Sequence, residues 1–128
     1  MDTGTGVKGI IRKGNRFLVL VKPNGAFDLP GGRVEDGESI KAALHREISE
    51  ETGLKVDIKE IIGKWSFSKR PNFSINGITF ACNYLKGKVK LCDEHKNYLW
   101  AEIKKLHELT FSRETQRHFK YMHPSYRA

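Results

Sequence analysis

The chain has 128 residues, 38% hydrophobic and 10% aromatic, with a formal net charge of +8. That length points to one domain over 1–128 with a single core, and the composition excludes a disordered chain. The basic excess favours encounter with anionic ligands without bearing on fold, and the lack of any apolar run near the roughly 20 residues that span a bilayer argues against a membrane partner.

Met1–Gly6 has no basic segment followed by an apolar one, so it reads as a short lead-in, flexible over residues 1–5, and not as a signal peptide. Val7–Arg12 and Arg16–Lys22 are apolar-rich strands separated by the hairpin signal Lys13-Gly14-Asn15. Pro23-Asn24-Gly25 is a second turn, and Ala26–Leu29 a short extended piece. Pro30-Gly31-Gly32 then breaks regular structure, and Arg33–Glu38 is a polar loop. Ser39 is a good N-cap, its hydroxyl able to accept from first-turn amides. Ile40, Ala43, Leu44 and Ile48 fall at helical spacing, and Gly53 suits the left-handed residue after a helix, which predicts a helix over Ile40–Thr52. Strands are expected again at Lys55–Ile62, Lys64–Ser68, Ile78–Tyr84, Lys88–Leu91 and Tyr98–Ile103, with a polar loop at Arg70–Gly77. Ser112–Met122 suits a second helix with Thr115, Phe119 and Met122 inward. This loose alternation predicts a mixed sheet covered by helices on its faces. Cys82 and Cys92 match no zinc or redox spacing; two buried, reduced thiols in a cytoplasmic protein are the expectation.

Glu47, Glu50 and Glu51 stand at i, i+3 and i+4, so their carboxylates leave one side of the helix. Like charges at that spacing repel by a few tenths of a kcal/mol per pair. A solvated face tolerates this, and that is the ordinary explanation of a lone acidic cluster. A hard cation such as Mg2+, held by a few carboxylates and substrate phosphates, would remove the repulsion. Arg46 can pair with Glu38 and fix the loop against the helix, and Gly31-Gly32 lets backbone come close enough to offer a carbonyl oxygen.

Gly32, five residues, Glu38, seven residues, then Arg46-Glu47-Ile48-Ser49-Glu50-Glu51-Thr52-Gly53-Leu54 resembles the signature box of the Nudix hydrolases, without departure over 23 residues. The flanking Phe27-Asp28-Leu29-Pro30-Gly31 is similar to that family as well. The resemblance implies an α/β/α sandwich and hydrolysis of a nucleoside diphosphate linked to a further group X, in the manner of the MutT-like pyrophosphohydrolases. It implies that Glu47, Glu50 and Glu51, with the carbonyl of Gly31, hold Mg2+ or Mn2+. Gly32, Glu38, Arg46 and Gly53 take structural roles. It also implies an acid shortly before a Trp-containing strand; Glu94 fills that place ahead of Trp100, with Asp93 second. Glu47, Glu51 and Glu94 are the candidates for the base that takes a proton from the attacking water. His95 stays outside the catalytic set.

Lys22 at a strand end is a candidate phosphate contact, and Phe27, Trp65 and Phe67 are candidates for stacking on a base. Trp65 and Phe67 alternate onto one side of a strand, as both a core wall and a pocket wall would. The expected substrate is a nucleoside triphosphate or related nucleotide, with a 5′-triphosphorylated RNA end as rival. A non-catalytic nucleotide sensor is the alternative of a different class, although such domains often lose the box carboxylates. A monomer and a homodimer are both compatible with the chain.

Overall fold

The computed structural model describes residues 2–102 and Lys104, without the side chains of Asp2, Phe67 and Lys69. In chain order these residues form β1 (Asp2–Lys13), β2 (Arg16–Val21), β3 (Phe27–Asp28), β4 (Gly31–Arg33), α1 (Ile40–Thr52), β5 (Lys55–Arg70), β6 (Phe73–Lys86) and β7 (Asn97–Glu102). The strands make one mixed sheet in the order β3-β2-β1-β6-β5, with β4 added beside β1 and β7 beside β2. Only β1 and β6 run parallel among these pairs, from Asp2 opposite Phe73 to Arg12 opposite Asn83.

One edge of β1 changes partner along its length, and this shapes the site. Arg12 and Lys13 pair with Phe17 and Arg16 of β2. Gly9 donates its N–H to the Pro30 carbonyl at 2.9 Å, and Gly6–Lys8 pair with Arg33–Gly31 of β4. The edge of β2 passes meanwhile from β1 to β3, where Leu20 and Val21 face Asp28 and Phe27. The sheet therefore forks, and the segment 27–33 bridges the fork.

Alternation along the strands divides the core by face. Val7, Ile11, Leu18, Leu20, Phe80 and Cys82 pack under Ala43, Leu44 and Ile48 of α1. Ile10, Phe17, Val19, Leu29, Ile62, Ala81 and Ala101 form a second cluster. The helix begins and ends as its sequence dictates. Ser39 Oγ accepts from the Ala42 N–H at 3.1 Å, and Gly53, at φ 72°, donates to Ser49 O as the closing residue.

Several expectations are corrected. Asp2–Gly6 is no flexible lead-in but the first half of β1, its backbone paired along Phe73–Gly77 of β6. Gly31–Arg33 does not break regular structure, because the widening fork leaves β1 an open edge that it fills. The two strands expected on either side of Gly63 are one, β5, whose register shifts at Ile58/Ile61 and Ile61/Gly63 absorb the irregularity. The polar loop expected at Arg70–Gly77 shrinks to Pro71-Asn72. Proline's fixed φ followed by Asn72 at φ 62° makes a tight turn between Arg70 and Phe73. Lys88–Leu91 is not a strand; its Lys90 N–H donates to the Thr52 carbonyl at 2.8 Å, tying it to the helix end. Both cysteines are free thiols, but Cys92 is half-buried whereas Cys82 is buried. The helix expected at Ser112–Met122 lies outside the described residues.

Candidate active site

The helix turns about 100° per residue, which separates three carboxylates that spacing alone puts on one side. Glu50 points outward with its side chain 60% exposed. Glu47 is intermediate, at 17%. Glu51 falls on the apolar face with Leu44 and Ile48, and only 4% of the residue is exposed.

Arg46 holds the outer part of the group. It donates to both oxygens of Glu38, from Nε at 2.8 Å and Nη2 at 3.1 Å. Nη2 also donates to the Arg33 carbonyl at 3.0 Å. Nη1 donates to Glu47 Oε1 at 2.9 Å and reaches Glu50 Oε2 at 3.4 Å. A planar fork with several donors can serve loop and helix together, which an ammonium cannot. Glu38 also accepts the Glu35 N–H at 3.0 Å. The Arg46 hydrogen bond, helped by that amide, holds the Glu38 carboxyl below the usual carboxylate range. The loop-to-helix pairing anticipated for Glu38 and Arg46 is thus present.

The two glycines do different work. A Cβ on Gly32 would lie 2.6–2.8 Å from the carboxyl atoms of Glu47, so the bare backbone is what admits that carboxylate. Gly31 sits at φ 145°, and a Cβ there would run into the Val7 carbonyl of β1. Its N–H donates to Glu51 Oε1 at 2.8 Å.

Behind Glu51 lies a buried polar wall that sequence reasoning did not assemble. His95 Nδ1 is 3.7 Å from Glu51 Oε2, and its Nε2 is 3.5 Å from Asp28 Oδ2. Lys8 Nζ contacts Asp28 Oδ1 at 3.2 Å and donates to the Leu29 carbonyl at 2.9 Å. Two polar residues set in apolar stretches, Lys8 after Val7 and Asp28 between Phe27 and Leu29, were the available signal, whereas His95 stands in the polar run Asp93–Asn97 and gave none. Burial raises the Glu51 carboxyl to about 7, against the opposing pull of Lys8 and the Gly31 N–H; Glu47 adds to the rise and His95 offsets it.

The remaining candidates lie at varied distances from this centre. Asp93 and Glu94 are exposed, and among the described residues Glu94 has no hydrogen bond or ion pair. Lys22 is half-buried, and its backbone closes the Pro23–Gly25 turn by bonds to Ala26 and Gly25 at 2.8 Å each. Phe27 packs against the second core cluster. Trp65 is buried, its ring over Gly6 and Gly77, and its Nε1 donates to Thr79 Oγ1 at 3.1 Å. The Phe67 side chain lies outside the description.

Among the described residues, no three acidic, histidine or cysteine side chains converge to hold an ion by themselves. Magnesium does not require that, because it is usually bound by one or two carboxylates together with waters and substrate phosphates. The donor set fits such a cation. All donors are hard oxygens, Glu47 and Glu51 are graded from the surface inward, and the bare Gly32 backbone lets the Glu47 carboxylate lie against the loop.

The family model for the NUDIX domain matches residues 2–123. An ADP-ribose pyrophosphatase of Methanocaldococcus jannaschii is 37% identical over 113 residues, covering 84% of this chain and 67% of that protein. The nucleoside triphosphatase NudI of Escherichia coli is 34% identical over 89 residues, covering 61% of this chain and 62% of that protein. The matches thus span about two-thirds of those relatives. Among solved structures, the MutT protein of Methanosarcina mazei Go1 superposes with a TM-score of 0.78 at 30% identity, covering 91% of this chain and 88% of that one.

Proposed function

The chain belongs to the Nudix hydrolase family, and from that premise we propose that it cleaves, with a divalent cation, the diphosphate of a nucleoside diphosphate linked to a further group. One observation carries this reading: Arg46 braces Glu38 and Glu47 while Gly31 holds the buried Glu51, so loop and helix form one acidic wall. Glu47, Glu50 and Glu51, with the Gly31 carbonyl, are the proposed ligands of Mg2+ or Mn2+, and Glu94 the proposed downstream acid. A bound cation of this kind supplies neutralisation of phosphate charge and a more acidic water.

The chain's own residues do the rest. Arg46 keeps the Glu47 carboxylate turned toward Gly32, where no side chain intrudes. Burial raises the Glu51 carboxyl in the metal-free protein, and a bound cation would favour its ionised form, so Glu51 meets the ion as a carboxylate. Of the candidates for the base that takes a proton from water, Glu47 and Glu94 are more open to solvent than Glu51. Lys22 and Phe27 border the fork and are the proposed contacts to phosphate and base; the burial of Trp65 favours a supporting role for its ring.

The finer substrate follows the relatives. The ADP-ribose pyrophosphatase puts ADP-ribose first, and the nucleoside triphosphatase supports the nucleoside triphosphate that sequence alone favoured. Purified protein is incubated with ADP-ribose, nucleoside triphosphates, nucleotide sugars and 5′-triphosphorylated RNA, with and without Mg2+. Metal-dependent cleavage of a nucleotide supports the reading. Tight nucleotide binding without turnover on any of them would make the domain a sensor.

A further inference from the structure

His95 is placed with more care than a packing residue needs. Its side chain is 3% exposed. Its own N–H donates to the Cys92 carbonyl at 3.4 Å, and the next amide, Lys96, donates to Val21 O of β2 at 2.8 Å. The ring is thereby fixed at the fork, with one nitrogen facing each of two buried carboxylates. The Nε2 side is anchored, because Asp28 Oδ1 is in turn held by Lys8 and by the Leu29 N–H at 2.9 Å. The Nδ1 side is incomplete: that atom is buried and lacks a hydrogen-bond partner among the described residues. A buried polar atom without a partner costs the fold its lost hydration, so a contact at Nδ1 is favoured. Glu51 Oε2, at 3.7 Å, lies just beyond hydrogen-bond reach.

From this geometry we propose that His95 is a positioning residue for Glu51, setting through Nδ1 the carboxylate orientation that a divalent cation meets. The proposal rests on the reading of Glu51 as a metal ligand. The Gly31 N–H fixes one oxygen of Glu51, and His95 faces the other. Two contacts on two oxygens define the plane of the carboxylate, whose terminal torsion is otherwise soft. Nδ1 donating to Oε2 completes the contact and leaves Glu51 a carboxylate. Lys8 and Asp28 serve as the anchor that keeps the ring from turning away.

The test separates the two nitrogens. An asparagine amide falls near the position of Nδ1, and a glutamine amide near that of Nε2. Mn2+ affinity is measured by the electron paramagnetic resonance of the free ion for wild type, H95N, H95Q and E51Q, with Tm recorded for each. H95Q should weaken Mn2+ binding about tenfold or more, as loss of an orienting partner does, while H95N, which keeps a nitrogen near Nδ1 but gives up the Asp28 anchor, should fall between H95Q and wild type at a similar Tm. Equal affinity in H95Q and wild type overturns the proposal, as do equal losses in H95N and H95Q that track a fall in Tm. If H95Q does not fold, D28N replaces it; releasing the anchor should weaken Mn2+ binding, and unchanged affinity overturns the proposal. Wild-type protein that binds no Mn2+ overturns the metal reading itself, and this idea with it.

Discussion

Glu51→Gln should make the metal-free protein more stable and less active at once. The carboxyl rises from an ordinary 4.5 to about 7, chiefly through burial. At about 1.36 kcal/mol per tenfold, that rise corresponds to about 3 kcal/mol. The folded state holds this proton more tightly than the unfolded chain does. The associated stability is therefore complete below pH 4.5 and is lost as pH climbs through 7. Glutamine keeps an oxygen for the Gly31 N–H but never ionises. In EDTA at pH 8 the variant should exceed wild type by about 3 kcal/mol, roughly 10 °C in Tm for a domain of this size. At pH 5 the advantage should shrink to about 1 kcal/mol. Mg2+ at about 100 times its Kd should return about 2.7 kcal/mol to wild type and little to the variant. Thermal melts at the two pH values, with and without Mg2+, check all of this. A variant no more stable than wild type at pH 8, or one whose advantage is the same at pH 5, would refute the reasoning.

The neighbouring glycines should respond oppositely to alanine. Gly32→Ala sets its methyl against the mobile end of Glu47, so Tm should barely move while turnover falls about 10²-fold. Gly31→Ala sets its methyl against the Val7 backbone at a positive φ, so folding itself should fail, read by circular dichroism. Arg46→Lys keeps the charge but loses the fork shared by Glu38, Arg33 and Glu47; kcat should drop about 10²-fold with a small change in Tm. Trp65→Ala should cost about 3–5 kcal/mol in urea unfolding, because it empties the space over Gly6 and Gly77 and strands Thr79.

Much of the helix and its bracing was legible because it depends on local spacing. Ser39, the apolar period and Gly53 define α1 without help from the rest of the fold. The same spacing relates Arg46 to Glu38 across one loop. The mixed sheet of the α/β/α fold was legible in the alternation of elements, whereas its fork was not, because pairing between distant segments decides it. Asp2–Gly6 gains its strand character from Phe73–Gly77, and Gly31–Arg33 from an edge of β1. The inward turn of Glu51 was in the helical spacing, since Leu44, Ile48 and Glu51 stand at i, i+4 and i+7, but its burial was not. Helical geometry puts it beside Glu47, but only the packing of α1 on β1 shows that it is buried. Lys8, Asp28 and His95 are 20 or more residues apart and meet only where the sheet divides. No local pattern could join them.

The decisive measurement is cleavage of ADP-ribose and nucleoside triphosphates by wild type and by Glu51→Gln across a Mg2+ titration. Wild type should turn over at least one of them only when Mg2+ is present, and the variant should be slower by about 10²–10³-fold while remaining folded. Turnover that ignores Mg2+, or a folded variant that matches wild type, would contradict the assignment of the chemistry to this buried carboxylate.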